Sequence, residues 1–445
     1  MSSRTPIERA VATYCSAWST SNADCSGISR VNPEALTSRT EPDFSFRYID
    51  IGSVTKGVIN WADVQTIQFH DAPSRARRVV RSGDTLICTV RPLLGSHASA
   101  DWSTDDAMVC STGFAVLRCC GDGLLPQFAK HLPFSEQASR QLAAWQCGTS
   151  YPAVNERDVR KLVLPLPPPQ EQAAIARLLE SLDVAIECAR TAVEAARVVR
   201  RALLADLLTR GIGGDGYLRR HAHKDEFAVT PVGTVPVDWR LSTVACELAL
   251  QTGITLNEAR RGLRDQHRYL RVANVRRYDV DLTDVQQLGA TDIELAPRRL
   301  QERDLLVVEG HANRREIGRC ALVPPVAVGM TFQNHLFRLR TKGEIDPDFG
   351  CLWLNSEYAQ RYWDARCGTS SGLNTINQRA LRRLAVPVPE ASEQRAIVRV
   401  AAAQRSHLDQ LVASHTALTE LKRGLLDELL TGRIRLGEPA VTAAS

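Results

Sequence analysis

The stretch PLPPPQEQAAI (residues 165–175) joins a proline-rich run directly to a long segment with helical spacing of apolar residues. Nearly the same stretch returns as PVPEASEQRAI (residues 387–397), again followed by a long periodic segment. Proline is excluded from a helix interior and biases the preceding residue toward extended geometry, so each run ends one element and sets where a helix begins. Glu171 falls in the first predicted turn, where a carboxylate meets the positive end of the helix dipole.

The two halves of the chain share further landmarks in the same order. CGTS occurs verbatim at residues 147–150 and 367–370, and ADLLT (205–209) corresponds to DELLT (427–431). Ahead of them, SGDTLICTV (82–90) corresponds to ERDLLVVEG (302–310) at an offset of 220 positions, close to half of the 445 residues. We therefore interpret the chain as a duplication of one module, with each copy ending in a long helix.

Residues 171–209 and 393–431 carry apolar residues at alternating spacings of three and four, which is typical of a heptad seam. Each segment would be roughly 58 Å long as an unbroken helix. Neither is expected to be stable without a partner for its apolar stripe, and each supplies that partner for the other. The predicted seam of the helix pair consists of Ile175, Leu178, Leu182, Ile186, Val193, Leu203, Leu207, Ile397, Leu408, Leu411, Leu418, Leu425 and Leu429.

Short strand-like runs, such as TGFAVLRC (112–119) and NHLFRLR (334–340), alternate with amphipathic pieces such as FGCLWLNSEYAQRYWDARC (349–367). The predicted fold class is therefore α+β, with two pseudo-symmetric globular domains separated by two long antiparallel helices that form an intramolecular coiled coil. The predicted divisions are a first globular domain at 1–165, a long helix at 166–210, a linker at 211–234, a second globular domain at 235–387, a long helix at 388–435 and a tail at 436–445.

Composition favours a cytoplasmic protein. The chain has no apolar run of about 18 residues and no signal-peptide layout at its start, so neither a membrane nor export is expected. The 12 cysteines show no C-x-x-C spacing and are interpreted as reduced. Only six of the 55 basic residues are lysine, and arginine suits contacts with phosphate and guanine. A GC-rich coding sequence would also raise the arginine content, so this observation favours DNA binding only weakly.

The sequence offers no recognisable active site. GIGGDG (211–216) matches a dinucleotide-binding pattern formally, but it follows a helix rather than a strand. No phosphate-binding loop, H-E-x-x-H or G-x-S-x-G is present, nor is the [DNS]-P-P-[FYW] tetrapeptide of DNA amino-methyltransferases. His311 and His335 lack nearby carboxylate or cysteine companions in the sequence. We expect no catalytic residue, no metal site and no cofactor.

The repeated segments GTSYPAVNERDVRKLVLPLPPPQEQAAI (148–175) and GTSSGLNTINQRALRRLAVPVPEASEQRAI (368–397) resemble those of the specificity (S) subunits of type I restriction-modification enzymes. The likeness covers essentially the whole chain and occurs twice in order. The second module also opens with VPVDWRLSTVA (235–245), as modules of this family often do. The first module departs from the family, because CSAWSTSNA around Trp18 carries little of that opening.

The resemblance implies a non-catalytic subunit whose two globular domains are target-recognition domains, each reading one half of a split, asymmetric site in double-stranded DNA. It implies that the paired helices act as a ruler and as the docking surface for two methyltransferase subunits, with a restriction/translocase subunit as a further partner. Two other interpretations stay open: a stand-alone DNA methyltransferase or nuclease with unrecognised motifs, and a coiled-coil scaffold without DNA binding.

Residues that read bases differ from target to target within such a family, so candidates come from polar and basic residues in loops. For any single arginine, a solvated surface charge or an intramolecular ion pair is the alternative. The candidate DNA-binding residues are Lys56, Arg75, Arg77, Arg78, Arg91, Thr149, Ser150 and Tyr151 in the first module, and Arg271, Asn274, Arg276, Arg277, Asn313, Arg314, Arg315, Asn334, Thr369, Ser370 and Ser371 in the second.

Overall fold

The structure is a computed structural model that describes residues 28–102, 104–148, 150–220, 226–258, 260, 265–370 and 373–436, with only the backbone of Thr369 and Ser370. The chain forms two compact units. The first comprises Met1–Arg190 with Ala413–Ser445, and the second comprises Thr191–Val412. Among the described residues, none of the helices combines the length and hydropathy that a membrane-spanning segment needs.

The described part of the first unit contains two four-stranded sheets and one hairpin. Its strands are β1 (Ser29–Val31), β2 (Ser45–Ile49), β3 (Val54–Thr55), β4 (Val58–Ile59), β5 (Gln65–Gln68), β6 (Ala76–Val80), β7 (Asp84–Cys88), β8 (Ala98–Ala100), β9 (Met108–Ser111) and β10 (Phe114–Cys119). The sheet orders are β1-β10-β7-β8 and β5-β2-β9-β6, while β3 pairs with β4. Leu86 of β7 and Phe114 of β10 share one buried apolar cluster with Met108 of β9, because the apolar faces of the two sheets pack against each other.

Three short helices follow the sheets: α1 (Pro126–Ala129), α2 (Glu136–Trp145) and α3 (Glu156–Arg160). Ser135 caps α2 by accepting a hydrogen bond from the Ala138 amide at 3.1 Å. Asn155 caps α3 through a reciprocal pair of hydrogen bonds with Asp158. Such side-chain acceptors satisfy amides that have no partner within the helix, and so they fix where each helix begins. The chain then enters the first long helix, α4 (Pro169–Thr209).

The second unit has the same kind of mixed architecture. Its strands are β11 (Phe227–Thr230), β12 (Gly233–Pro236), β13 (Arg240–Thr243), β14 (Leu248–Thr252), β15 (Gln266–Leu270), β16 (Val275–Arg276), β17 (Asp279–Val280), β18 (Gln286–Gly289), β19 (Leu305–Val308), β20 (Gly310–His311), β21 (Cys320–Leu322), β22 (Thr331–Phe332), β23 (Leu336–Thr341), β24 (Gly368–Ser370), β25 (Leu373–Thr375) and β26 (Ala385–Val388). Its larger sheets have the orders β14-β23-β19-β21, β18-β15-β22 and β20-β25-β24, and the pairs β11-β12, β13-β26 and β16-β17 complete the set in the described part of this unit.

The helices of the second unit are α5 (Val244–Glu247), α6 (Asp292–Leu295), α7 (Pro347–Leu354), α8 (Glu357–Arg366) and α9 (Gln378–Arg383), and the second long helix is α10 (Ala391–Leu430). The amphipathic piece at 349–367 is divided between α7 and α8 rather than forming one helix. Asn355 ends α7, and the Ser356 hydroxyl starts α8 by accepting from the Ala359 amide at 3.2 Å. Serine at this place competes with the helix for backbone amides, which favours a new start.

The long helices begin at Pro169 and Ala391, three residues after the predicted division starts at 166 and 388 and two residues before Glu171 and Glu393, where the periodic spacing begins. Pro169 is the first helical residue, where a missing amide hydrogen costs nothing because that position has no partner within the helix. The preceding prolines still keep the incoming chain extended, so the proline run does set the start of the helix.

The predicted antiparallel pairing of the long helices is confirmed within each unit. In the first unit, Ile175 near the start of α4 packs with Leu426 and Leu429 near the end of α10. In the second unit, Leu207 near the end of α4 shares a cluster with Ile397 near the start of α10.

The predicted seam positions differ in depth. Ile175, Leu207, Ile397 and Leu429 are at most 1% exposed, and Val193 is 6% exposed. The remaining seam positions are half-buried, namely Leu178, Leu182, Ile186, Leu203, Leu408, Leu411, Leu418 and Leu425. The predicted domain boundaries treat the helices as separate segments, whereas the two units divide each helix between them, and those boundaries stay predictions.

A buried glutamine explains why the letters EQ recur after each proline run. The Gln172 amide donates to the Pro167 and Gly123 carbonyls at 2.8 Å each and accepts from the Leu125 amide at 2.9 Å. Gln394 repeats this pattern with the Pro389 and Glu344 carbonyls and the Asp346 amide. Because both glutamines are at most 1% exposed, their bonds are made out of water and tie the helix start to the loop before it.

The neighbouring glutamate binds the chain that leaves the other long helix. In the second unit, Glu393 accepts from the Ile212 amide at 2.8 Å and from the Trp239 indole at 3.0 Å, and it pairs with Arg219. Gly211, with φ of +69°, lies so close that a Cβ there would be 2.1 Å from a Glu393 oxygen. The first glycine of GIGGDG therefore closes a helix end against this carboxylate.

In the first unit, Glu171 plays the corresponding part. It accepts two hydrogen bonds from the Arg435 guanidinium at 2.9 Å each and one from the Leu436 amide at 3.2 Å. Both glutamates are buried, with Glu171 at 5% and Glu393 at 9% exposure. The duplicated sequence thus produces a duplicated contact, which we call the glutamate clasp (Glu171 and Glu393 with the segments that they bind).

Candidate nucleic-acid interface

The loop after β20 gathers three of the candidate residues of the second unit. Asn313 caps the short turn Arg314–Glu316 by accepting from the Arg315 amide at 3.0 Å. Arg314 lies next to Asp364 of α8, with 3.6 Å between Nε and the carboxylate. The Arg315 side chain is exposed and has no ion pair within the described part of the chain. The cap holds the loop so that Arg315 points its charge into solvent, where phosphate or a base edge could reach it.

The strands beside this loop carry two more candidates. Strand β25 pairs with β20 on one side and with β24 on the other, and β24 contains the backbone of Thr369 and Ser370. The Asn374 amide of β25 donates to the Ala312 carbonyl at 2.9 Å, which fixes the loop against the sheet. Ser371 and, in the first unit, Thr149 lie outside the described residues.

Four candidates at 271–277 lie in a turn where most of their side chains form hydrogen bonds or ion pairs with the protein itself. Asn274 is 3% exposed, and its amide donates to the Asp281 and Asp284 carbonyls, so its side chain is not available for a base contact. Arg271 pairs with Asp284 at 2.6 Å, and Arg276 pairs with Asp281.

The side chains of the remaining two candidates of the second unit, Arg277 and Asn334, are less involved in internal contacts. Arg277 donates to the Arg315 carbonyl at 2.9 Å, which links this turn to the loop after β20. Asn334 is half-buried in the turn between β22 and β23. Next to it His335 lies 3.4 Å from the Glu309 carboxylate. Burial raises the pKa of Glu309 above its ordinary value, and the nearby His335 opposes this shift.

In the first unit, the structure brings Arg91, Ser150 and Tyr151 together. Arg91 donates to the Ser150 carbonyl at 2.9 Å, and its guanidinium lies 4.7 Å from the centre of the Tyr151 ring. Tyr151 is 72% exposed. A guanidinium stacked on an exposed ring keeps donors free at its edge, so this group could contact a base or a phosphate.

The other candidates of the first unit are spread over two places. Arg75 pairs with Asp50 at 3.1 Å and Arg78 pairs with Glu156 at 3.2 Å. Arg77 donates to the Ala76 carbonyl at 2.8 Å and lies over the Phe69 ring. Lys56 is exposed at the tip of the β3–β4 hairpin. For Arg75 and Arg78 the structure shows the intramolecular pairing that was the alternative interpretation, and their contact with DNA stays a prediction.

No protein-family model matches the chain. It is 23% identical over 273 residues to the EcoKI specificity subunit of Escherichia coli K12, an alignment that covers 61% of this chain and 57% of that protein. It is 24% identical over 256 residues to the EcoBI specificity subunit of Escherichia coli, covering 55% of this chain and 52% of that protein. The chain thus matches about half the length of these curated relatives.

A solved chain from work on the complex assembly and conformational transition of the type I R-M system has the same fold. It superposes with a TM-score of 0.58 at 22% identity and covers 92% of this chain and 98% of its own length. The resemblance predicted from the sequence is therefore confirmed: the chain is similar in sequence to specificity subunits of type I restriction enzymes and in fold to a chain of the type I R-M system.

Sequence reasoning missed two groups of residues. The glutamate clasp involves partners far apart in sequence, and only the repeated EQ hinted at it. A second group, on α8 and α9, carries arginines and tyrosines that the amphipathic pattern of residues 349–367 assigned to a helix without a function. The spacing Tyr358, Tyr362, Arg366 was the available signal, because residues four apart share one helix face.

Proposed function

We propose that the chain is the DNA-specificity subunit of a type I restriction-modification complex, with each unit reading one half of a bipartite target. The observation that carries the proposal is the duplication. Two globular parts of the same kind are each joined to both long helices by the same glutamine and glutamate contacts. A protein that recognises two half-sites needs two readers, and the similarity to specificity subunits supports this assignment.

Within this proposal, base reading falls to the groups that are exposed and held in place. These are Arg91 with Tyr151 in the first unit, and Arg315 with the Asn313-capped loop in the second. A guanidinium can donate two hydrogen bonds to a guanine edge, so each arginine suits direct readout. The arginines that pair with carboxylates on the protein surface would contribute as phosphate contacts once DNA competes for them.

Two methyltransferase subunits, and a restriction/translocase subunit as a further partner, are proposed to dock on the long helices. Apolar side chains on the outer faces of these helices support this proposal. Val184 and Leu421 in the first unit are 64% and 50% exposed, and Val198 and Val199 in the second are 65% and 57% exposed. Contiguous patches of exposed apolar residues are typical of protein-protein contacts.

We also propose that the chain does not catalyse methyl transfer or cleavage itself. Purified protein should therefore show no methyl transfer from S-adenosylmethionine and no DNA cleavage without partners, and activity of the chain alone would favour the stand-alone enzyme. Binding to DNA that weakens steeply with salt separates the recognition subunit from a coiled-coil scaffold, because phosphate contacts release counterions.

The decisive experiment is co-expression with the open reading frames that neighbour its gene, followed by sequencing of the methylated bases in the host genome. We expect one bipartite motif. Arg315→Ala should relax the specificity of one half of this motif and Arg91→Ala that of the other, each by roughly 1–3 kcal/mol of discrimination at one base pair. A continuous motif, or a substitution that alters both halves, would contradict the proposal.

A further inference from the structure

The second unit contains an open groove that the proposed base-reading residues do not use. It has a volume of about 550 Å³ and lies between α8, α9 and the turn that follows β11. Tyr358, Arg361, Tyr362, Arg366 and Arg383 line it. The groove is built from rigid elements, because the Tyr362 hydroxyl of α8 donates to the Ala380 carbonyl of α9 at 2.9 Å.

The groove concentrates positive charge. Arg361, Arg366 and Arg383 are all exposed, and within the described part of the chain none of them has an ion pair with a carboxylate. Arginines elsewhere in the same unit commonly have such pairs, as Arg260 has with Glu294 and Arg340 with Asp304, each at 2.7 Å. No aspartate or glutamate lines the groove. Three guanidiniums close together therefore favour an anionic ligand.

One wall of the groove is a row of stacked rings. Trp353 stacks on Tyr358 with 5.2 Å between ring centres, and Tyr358 lies 6.5 Å from Tyr362. The Arg366 guanidinium covers the Tyr362 ring at 3.9 Å. Stacking fixes the plane of this guanidinium, so less side-chain entropy is lost when it binds two oxygens of a phosphate.

The first unit lacks this groove chemistry at the matching positions, although the fold there is the same. The helices correspond through their caps, Ser135 with Ser356 and Asn155 with Asn377. Where the second unit has Tyr362, the first has Gln141, which hydrogen-bonds to both the amide and the carbonyl of Val163.

The matching charges of the first unit are also occupied. Arg140, which corresponds to Arg361, pairs with Glu136. Lys161, which corresponds to Arg383, pairs with Asp158 at 3.4 Å. The unpaired positive groove is thus a property of the second module and does not follow from the shared architecture.

We propose that this groove binds phosphate groups of the DNA backbone and gives the second unit a sequence-independent anchor that the first unit lacks. The inference rests on the proposed function and concerns the same ligand. The groove and the base-reading loop share helix α8, because Asp364 on α8 lies beside Arg314 of that loop. A phosphate anchor next to a base-reading loop would set the register of the second unit on its half-site.

The test measures binding of the full chain to a fluorescent duplex containing its motif and to an unrelated duplex, each over a range of salt concentrations. The double variant Arg361→Gln with Arg383→Gln should bind both duplexes about tenfold more weakly. Its plot of log affinity against log salt should be shallower by about 1.8, which corresponds to two lost phosphate contacts. The matched variant Arg140→Gln should leave both affinities and the slope unchanged.

Additional variants and a competition experiment distinguish the possible outcomes. The variant Arg361→Lys with Arg383→Lys keeps both charges and should retain the wild-type slope, which separates lost charge from a folding defect. An unchanged slope in the glutamine variant, or weaker binding to the motif duplex alone, overturns the inference while the proposed function stands. Displacement of DNA by millimolar inorganic phosphate at constant ionic strength would assign the groove to free phosphate instead. A wild-type chain that binds neither duplex would overturn the proposed function as well.

Discussion

A single buried carboxylate in each unit secures the joint between the two long helices. Burial raises the pKa of Glu393, while the Trp239 indole, the Ile212 amide and Arg219 favour its charged form. A carboxylate in this position is tolerated because the donors around it replace the water that it lost. The clasp is therefore sensitive to the loss of any one donor.

Trp239→Phe should be more destabilising than the loss of side-chain volume explains. The substitution removes a hydrogen bond to a charged group, which is worth about 1.5–3 kcal/mol of the free energy of unfolding. Trp363→Phe is the matched control, since Trp363 is equally shielded but its indole nitrogen has no hydrogen-bond partner in the described part of the chain. Urea unfolding at neutral pH measures both variants, and equal losses would mean that the Glu393 bond contributes nothing.

The candidate interface shows that the exposure and pairing of single residues could not be predicted from the sequence. Asn274 resembles its exposed neighbours in sequence, yet its amide is consumed by two carbonyls of its own turn. Arg75 and Arg315 have the same side chain, but within the described residues Arg75 forms an ion pair and Arg315 does not. Exposure and pairing of a single residue depend on contacts over long distances in sequence, and no local pattern encodes them.

The long helices were the most predictable elements, because their heptad spacing extends over about 40 residues and the proline runs mark their starts. The divided segment α7–α8 was less predictable, since its apolar spacing continues past the break at Asn355. There the cap made by Ser356 outweighs helical periodicity. A periodic pattern identifies a helical region well but identifies internal breaks poorly.

Shortening one buried leucine of the helix pair should destabilise the first unit. Leu429 is fully buried against Ile175 and Phe128, so Leu429→Ala should cost about 2–5 kcal/mol of the free energy of unfolding. Leu421→Ala on the same helix should cost no more than about 0.5 kcal/mol, because Leu421 is half exposed. Thermal and urea unfolding of the two variants test the prediction, which fails if their stabilities are indistinguishable.

At the scale of the whole molecule, the two units share a plan but differ in their buried ionisable groups. In the first unit, burial lowers the pKa of His97 to about 4 and that of His131 to about 3. His97 accepts a hydrogen bond from the Cys88 amide at 3.0 Å, which requires the neutral ring. The sequence repeat predicts the plan that the two units share, whereas the buried histidines His97 and His131 belong to the first unit alone.

The first unit should accordingly lose stability as the pH falls from about 6.5 toward 4. The unfolded chain takes up protons on these histidines in that range and the folded unit does not, so their contribution is complete above 6.5 and disappears as acid is added. The loss is on the order of 3 kcal/mol for each histidine at pH 4. His97→Asn keeps the acceptor without titrating and should reduce the loss. Hydrogen exchange of β7 at pH 7 and pH 5 provides the measurement, and identical acid sensitivity in the variant would contradict the prediction.

Glu171 and Arg435 are 264 positions apart, and the boundary between the units falls inside both long helices. During translation the first globular domain leaves the ribosome early. Its contacts between Ile175 and Leu429 and between Glu171 and Arg435 form only after Leu429 and Arg435 have been synthesised. The second unit ends at Val412, so we expect it to be complete sooner. The second unit is therefore expected to be completed before the first, although it begins later in the sequence. We therefore expect the nascent first domain to keep its apolar surface around Ile175 exposed during most of elongation.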